Sequence, residues 1–293
     1  MTKEREGELL MIVLSILESW FPILSIVAIS HIGALHTYAF SLFVSLFFFI
    51  FLMLKKGLFK ELKNRAAYKD LLLTSFYITT LFALVFIGMQ FTTAGNMSVI
   101  IFTQLFFSYL YFNIFGKEKI DLVHSIGAFI MGLGAIIILI PDNLTFNKGD
   151  FIILVAAAIA PIANFYSKRA RGYCSSITIL GFRTIIALPV IAFLAWLIEP
   201  KISLEALENA FVYLLLIGLV IFGISKILWM EALYRISITK ISAMIAFVPP
   251  MTLFFAFIYL DEVPGFRQML GIIPVLIGGY LLIKPIKSKK ISV

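Results

Sequence analysis

The chain of 293 residues is 61% apolar and only 14% charged, with a net charge of +8 and a mean hydropathy of +1.05. Average soluble domains carry roughly 45–50% apolar and about 25% charged residues, so this balance excludes a purely water-soluble protein and makes lipid part of the solvent. The single cysteine, Cys174, excludes an intrachain disulfide, and His31, His36 and His124 are too scattered for a metal site.

A helix needs about 20 mostly apolar residues to cross the hydrocarbon of a bilayer. That length predicts ten helices in chain order. The first, over 9–30, carries Glu18, Trp20 and Pro22, and is too long and polar for a signal peptide. The second (34–54) and third (71–90) are uninterrupted, while the fourth (95–115) holds Asn96 and Gln104. The fifth (122–140) contains Gly127, Gly132 and Gly134, and the sixth (150–167) contains Pro161, Asn164 and Tyr166. Arg183 and Pro189 lie in the seventh (176–197), and Lys226 and Trp229 in the eighth (209–230). The ninth (239–260) includes Pro249 and Pro250, and the tenth (266–285) Pro274, Gly278 and Gly279. Transmembrane β-strands would alternate over about ten residues, whereas these runs are continuously apolar. The expected fold class is therefore all-α, a polytopic integral membrane protein.

The basic residues fix an orientation. With the N-terminus inside, 19 Lys and Arg fall in the inner segments and three (Lys148, Lys201 and Arg267) in the outer ones. That asymmetry follows the positive-inside rule, puts both termini in the cytoplasm of a plasma (inner) membrane, and supports an even helix count. It also accounts for the net charge without a nucleic-acid partner. The six cations from Lys55 to Lys69 read as a topology signal that also meets anionic lipid head groups. Asn143-Leu144-Thr145 matches a glycosylation acceptor on an outer loop.

A gapless shift of 144 residues pairs Ser98 with Ser242, Glu118 with Glu262, Gly127 with Gly271, Gly134 with Gly278 and Pro141 with Pro285. Each repeat unit then holds five helices, an odd number, so the halves 1–148 and 149–293 lie inverted to each other in the membrane. Inverted repeats are common in secondary transporters, with the substrate site near midplane between the halves.

The segments GKEKIDLVHSIGAFIMGLGAIIILIP (Gly116–Pro141) and LDEVPGFRQMLGIIPVLIGGYLLIKP (Leu260–Pro285) close the two halves. With ILWMEALYR (Ile227–Arg235) and TKISAMIAFVPP (Thr239–Pro250), they resemble the EamA-type branch of the drug/metabolite transporter superfamily. The resemblance covers nearly the whole chain and implies a 5+5 helix fold, an acidic residue after helices 4 and 9, and an arginine in helix 7, here Arg183. The chain departs from the pattern in lacking an arginine in helix 2, in carrying Lys226 where an aromatic or small residue is commoner, and in having Glu18. The lysine signatures of nucleotide-sugar and sugar-phosphate carriers are absent.

Ionisable groups inside a membrane cost about 3 kcal/mol or more and are functional hypotheses by default. Glu18, Arg183 and Lys226 are three such groups, at depths of roughly 13, 11 and 6 Å from the cytoplasmic face at 1.5 Å per residue. One acid and two bases leave a surplus of one positive charge, which suits a carboxylate or zwitterion. Glu18 is alternatively a proton-coupling acid, or a structural partner of one cation, and Lys226 alternatively snorkels to the surface. Trp20, Gln104, Asn164, Tyr166 and Trp229 form a second tier on the substrate pathway, each with helix packing as the competing reading. Pro22, Pro161, Pro249 and Pro250 are candidate gates or kinks. Glu118 and Glu262 suit capping or loop bracing.

The expected function is secondary active transport of a small polar metabolite, amino-acid-like or a related zwitterion, by alternating access. S-adenosylmethionine or a drug-like compound is the alternative cargo, and a passive channel or membrane enzyme the alternative class. The chain lacks a G-x-x-x-x-G-K-[ST] loop and any convergent nucleophile or metal cluster. The expected partners are a small-molecule substrate, the lipid bilayer and a proton as coupling ion, in a monomer or homodimer without cofactor or metal.

Overall fold

The computed structural model describes residues 3–111, 122–139, 147–235 and 244–283. Glu118, Pro141, the Asn143–Thr145 acceptor, Ser242 and Pro285 lie outside the described residues. Among those described the chain is helical without strands. The long apolar runs leave their backbone no partner in lipid other than itself.

The helices are α1 (Lys3–Ile32), α2 (Ala34–Lys55), α3 (Tyr68–Met89), α4 (Ala94–Phe102), α5 (Gln104–Tyr109), α6 (Leu122–Leu139), α7 (Lys148–Ala170), α8 (Ser176–Ile198), α9 (Leu204–Leu215), α10 (Lys226–Arg235), α11 (Val248–Leu260) and α12 (Phe266–Ile283). Two short 3₁₀ turns, Leu58–Lys63 and Arg65–Ala67, link α2 to α3, and Leu216–Ser225 joins α9 to α10 as a π-helix. Six helical stretches are long and apolar enough to cross a membrane. Local caps set several starts: the side chains of Thr93, Asn147, Ser175 and Ser203 accept hydrogen bonds from Asn96, Gly149, Thr178 and Ala206 amides, respectively.

Three boundaries differ from the sequence reading. The fourth predicted helix is divided at Thr103, whose hydroxyl bonds to the Ile100 carbonyl at 2.6 Å. The eighth begins earlier, at Leu204, and its middle third is π-wound. Pro249 and Pro250 occupy the first turn of α11 rather than a helix interior. A missing N–H costs nothing there, so those two prolines start a helix instead of kinking one. Pro22 and Pro161 do lie inside α1 and α7, both buried.

Close crossings depend on missing side chains. A Cβ on Gly127 would come within 2.9 Å of the Gly278 carbonyl, and one on Gly134 within 2.8 Å of the Gly271 carbonyl, so α6 and α12 cross backbone to backbone. The pair α3 and α7 meets where a Cβ on Gly149 would sit 2.6 Å from the Gly88 carbonyl. Helix α2 packs along α8 and onto the π-segment, and α1 packs against the π-segment, α9, α10 and α11. The outward face is apolar, with Phe47, Phe51, Phe76, Phe129, Phe193 and Phe254 exposed, as a lipid-facing surface requires.

Glutamates from one stretch of chain close helix ends in another. Glu199 accepts hydrogen bonds from the Leu35 and His36 amides at 2.9 and 2.8 Å, and His36 Nδ1 lies 2.8 Å from the same carboxylate. Glu262 receives the Ala94 and Gly95 amides at 3.0 and 3.3 Å, a capping role. Glu61 receives the Ser175 amide at 2.7 Å. Each places a negative charge at the positive end of a helix.

Gly33 enters α2 at φ 86° and ψ 168°, a region open to glycine alone, and a Cβ there would meet the Glu199 carboxylate at 2.9 Å. Gly33→Ala should therefore lower stability by about 1–3 kcal/mol, read as a fall in Tm of the purified protein, whereas unchanged Tm would contradict this geometry. Burial pushes the Glu61 carboxyl up, but hydrogen bonds from Thr178 and Ser175, with Lys60 nearby, outweigh it and hold it below its ordinary value of 4.5. A depressed folded pKa contributes stability above the ordinary value that is lost as pH falls through the folded one. The Tm gap between wild type and Glu61→Gln should thus be full at neutral pH and close as the solution is acidified below 4.5.

Candidate functional site

The centre of the molecule is aromatic. Tyr38 of α2 stacks on Phe86 of α3 with ring centres 5.0 Å apart. Phe222 of the π-segment meets Phe82 of α3 edge-on at 5.1 Å, and Phe21 of α1 meets Phe86 at 5.8 Å. Phe21, Tyr38, Phe86 and Phe222 are buried, while Phe82 remains half-buried. Charged and polar residues lie one helical turn from these rings. Glu18 precedes Phe21 by three residues, Thr79 precedes Phe82 by three, and Lys226 follows Phe222 by four.

Glu18 and Lys226 form an ion pair at 2.7 Å, with side chains 18% and 20% exposed. The Ser225 hydroxyl donates to the same Glu18 oxygen, Oε1. The Lys226 ammonium also lies 5.8 Å from the centre of the Phe82 ring, within cation–π range. Ser225 and Lys226 stand at the junction where the π-segment passes into α10. A π-winding shifts residues around the helix axis relative to an α-helix and is frequent at functional sites.

Arg183 of α8 is 9% exposed and makes no ion pair or hydrogen bond to another side chain among the described residues. Its electrostatic neighbour is the Tyr38 hydroxyl, which in turn borders Thr79. The Thr79 hydroxyl is buried beside the Tyr38 hydroxyl and has no other hydrogen-bond partner among the described residues. The three predicted ionisable groups therefore flank one aromatic centre: Glu18 and Lys226 are joined directly, and Arg183 stands apart on Tyr38.

The second-tier residues are dispersed. Trp20 stacks on Phe255 at 5.0 Å and meets Tyr259 edge-on at 5.6 Å, tying α1 to α11. Trp229 packs beside Met11 and Leu14 of α1. Tyr166 stacks parallel to Tyr77 at 5.7 Å, and Arg169 lies 6.0 Å from its ring. Asn164 is exposed, and Gln104 is half-buried in α5. Asn96 donates to Asp150 at 3.0 Å, where Thr92 also bonds, which braces α4 against α7.

Tyr38, Thr79, Phe82 and Ser225 are site residues that the sequence reading did not single out. Their signal is a hydroxyl one turn from an aromatic residue: Ser41 from Tyr38 on α2, Thr79 from Phe82 on α3, and Ser225 from Phe222 on the π-segment. Asp70, 2% exposed and 3.3 Å from Arg169, was likewise unremarked, because it stands at the end of a predicted helix. Two apolar grooves of about 400 and 440 Å³ lie on the outside, one between α11 and α12 and one between α2 and α9, away from Glu18, Arg183 and Lys226. Among the described residues no group of three His, Cys, Asp or Glu side chains converges to hold a metal ion.

The model of the EamA-like transporter family matches residues 5–140 and 147–284. The chain belongs to this family. It is an integral membrane transporter. A Bacillus subtilis (strain 168) protein named "Uncharacterized transporter YoaV" is 26% identical over 198 residues, covering 66% of this chain and 68% of that one. An Archaeoglobus fulgidus "Uncharacterized transporter" is 26% identical over 236 residues, covering 78% and 79%. A solved crystal structure superposes on this EamA-like transporter with a TM-score of 0.67 at 15% identity, over 95% of this chain and 96% of the other, a likeness of fold.

Removing one partner of a buried ion pair leaves the other charge uncompensated. Lys226→Met should destabilise this EamA-like transporter by about 2 kcal/mol, below the roughly 3–5 of a fully buried pair because both groups keep some exposure. The double variant Glu18→Gln/Lys226→Met should recover part of that loss in Tm. Additive losses would mean that the two side chains do not interact.

Proposed function

We propose that the protein is a secondary carrier that moves a small, amino-acid-like zwitterion by alternating access between two inverted five-helix halves, residues 1–148 and 149–293. The carrying observation is the uneven charge of the aromatic centre, where Glu18 and Lys226 neutralise each other and Arg183 has no counter-charge among the described residues. A site of this kind favours a solute bearing a carboxylate, and it gathers residues from α1, α2 and α3 on one side and α8 and the π-segment on the other.

Reciprocal contacts support the inverted halves. The shift of 144 residues carries Gly127 onto Gly271 and Gly134 onto Gly278. The contact of Gly127 with Gly278 thereby becomes that of Gly271 with Gly134, and both are present. Capping behaves similarly: Glu61, following α2, caps α8, and Glu199, following α8, caps α2. Packing of α3 on α7 is matched by packing of the α9–α10 span on α1. Two elements that exchange places under a two-fold operation in the membrane plane suit a carrier with an inward and an outward form. The count of ten takes the six long spans together with α4–α5, α6, α11 and α12. The positive-inside asymmetry puts both termini in the cytoplasm of the plasma (inner) membrane.

Counterflow in proteoliposomes tests this function. Vesicles preloaded with one amino acid at a time should accumulate trace labelled ligand saturably without an applied gradient, and Glu18→Gln should reduce that exchange at least tenfold. Unsaturable leakage of small solutes would replace the carrier with a channel.

A further inference from the structure

Charge and hydrogen-bonding capacity are left open at two points around the same rings. On one side, Lys226 and Ser225 both engage Glu18 through Oε1, and Oε2 has no partner among the described residues. On the other, Arg183 is more than nine-tenths buried with no counter-charge among the described residues, the Tyr38 hydroxyl is its electrostatic neighbour, and Thr79 borders Tyr38. Ser41, one turn along α2 from Tyr38, keeps a buried hydroxyl without a hydrogen-bond partner among the described residues, and Thr79 has only the Tyr38 hydroxyl beside it to bond. Buried polar groups ordinarily find a partner, and orphans call for an explanation. A guanidinium with a phenol hydroxyl beside it, and a threonine hydroxyl beside that, has the donors that a carboxylate accepts, including the planar fork that binds both of its oxygens. One uncompensated positive charge matches one carboxylate and not a dianionic phosphate.

We propose that Arg183, Tyr38 and Thr79 form a carboxylate subsite, and that the apolar body of the solute lies against Phe82. Phe82 is the half-buried member of an otherwise buried ring cluster, so its surface is the part of the cluster left uncovered. Lys226 already lies over this ring, which places the Glu18 end of the site next to the same face. The solute class is an amino acid with an apolar side chain, its acid end on Arg183 and its ammonium toward Glu18 Oε2. The assignment rests on the carrier reading above, and it adds the polarity and the orientation of the cargo.

Three probes separate the ends of such a solute: L-phenylalanine with both charges, 3-phenylpropionate with the acid alone, and phenethylamine with the amine alone. Purified protein should be stabilised saturably against heat by the first two, with no effect of phenethylamine at equal concentration. Arg183→Lys should weaken L-phenylalanine binding about tenfold or more, since a point charge does not replace the bidentate fork. Tyr38→Phe, which keeps the ring stack, should weaken it about threefold to tenfold by removing one hydrogen bond. Phenethylamine binding as tightly as L-phenylalanine, or unchanged affinity in both variants, would overturn the subsite. Counterflow of L-serine without binding of either carboxylate probe would overturn it too, while leaving the carrier intact. Absence of counterflow for every amino acid is the separate failure of the carrier itself.

Discussion

A helix that starts at a membrane face leaves several backbone N–H groups without partners, and in this protein acidic side chains from distant stretches of chain supply them. Glu199 closes α2, Glu262 closes α4 and Glu61 closes α8. Each bond does two things. It satisfies donors at the edge of a medium that cannot do so, and it fixes the end of one helix to the end of another far along the chain. The entry of α2 shows how tightly this is built, because the Gly33 backbone approaches the Glu199 carboxylate so closely that no side chain fits between them. Ends held in this way leave the centre of the bundle free to be polar.

Lipid supplies little force to press helices together, since its chains are as apolar as the helices they surround. Close backbone approach has to do that work. Glycines at a spacing of seven on α6 and on α12 stack two crossings along one interface, and Gly88 with Gly149 makes a third between α3 and α7. The bulky residues lie elsewhere: phenylalanines cover the outer surface and fill the core around Tyr38. Small residues at the seams and large ones at the centre give rigid contacts at the periphery, around a core whose aromatic rings are shared among α1, α2, α3 and the π-segment.

The fold was legible in proportion to how much the membrane constrains it. Long apolar runs marked the helices, and the shift of 144 residues related Gly127 to Gly271 and Gly134 to Gly278, but that these glycines meet across α6 and α12 is seen only in the structure. The break at Thr103 and the π-winding of Leu216–Ser225 carry no such mark, because an apolar run looks the same whichever way it is wound. The site was legible through cost. Glu18, Arg183 and Lys226 stand out because an ionisable group in hydrocarbon is expensive, and all three border the aromatic centre. Thr79 escaped notice because a Thr hydroxyl in a transmembrane helix can bond its own backbone four residues back, as Thr80 does at 2.9 Å and Thr184 does at the same distance, and Tyr38 because a ring in a helical bundle is most often packing. Only the position of Arg183 makes the Tyr38 hydroxyl, and Thr79 beside it, significant. Trp20 and Tyr166 were singled out for their rings, yet each found another aromatic residue, which is the commoner fate of a ring in a helical bundle.

The π-segment links the seams to the site. It packs on α2 through Gly218, where a Cβ would stand 2.8 Å from the Ser41 carbonyl, and it ends at Ser225, whose hydroxyl reaches Glu18. With more residues per turn than an α-helix, it sets the angle at which Ser225 and Lys226 emerge from the helix that follows. In continuous α-helix over the same ten residues, Ser225 and Lys226 would point in a different direction relative to Gly218. The glycine contact with α2 and the ion pair with α1 therefore cannot both be held by an undistorted helix with this sequence. The unusual winding satisfies both at once, and it places the pairing of Glu18 with Lys226 under the control of how α2 packs on the π-segment.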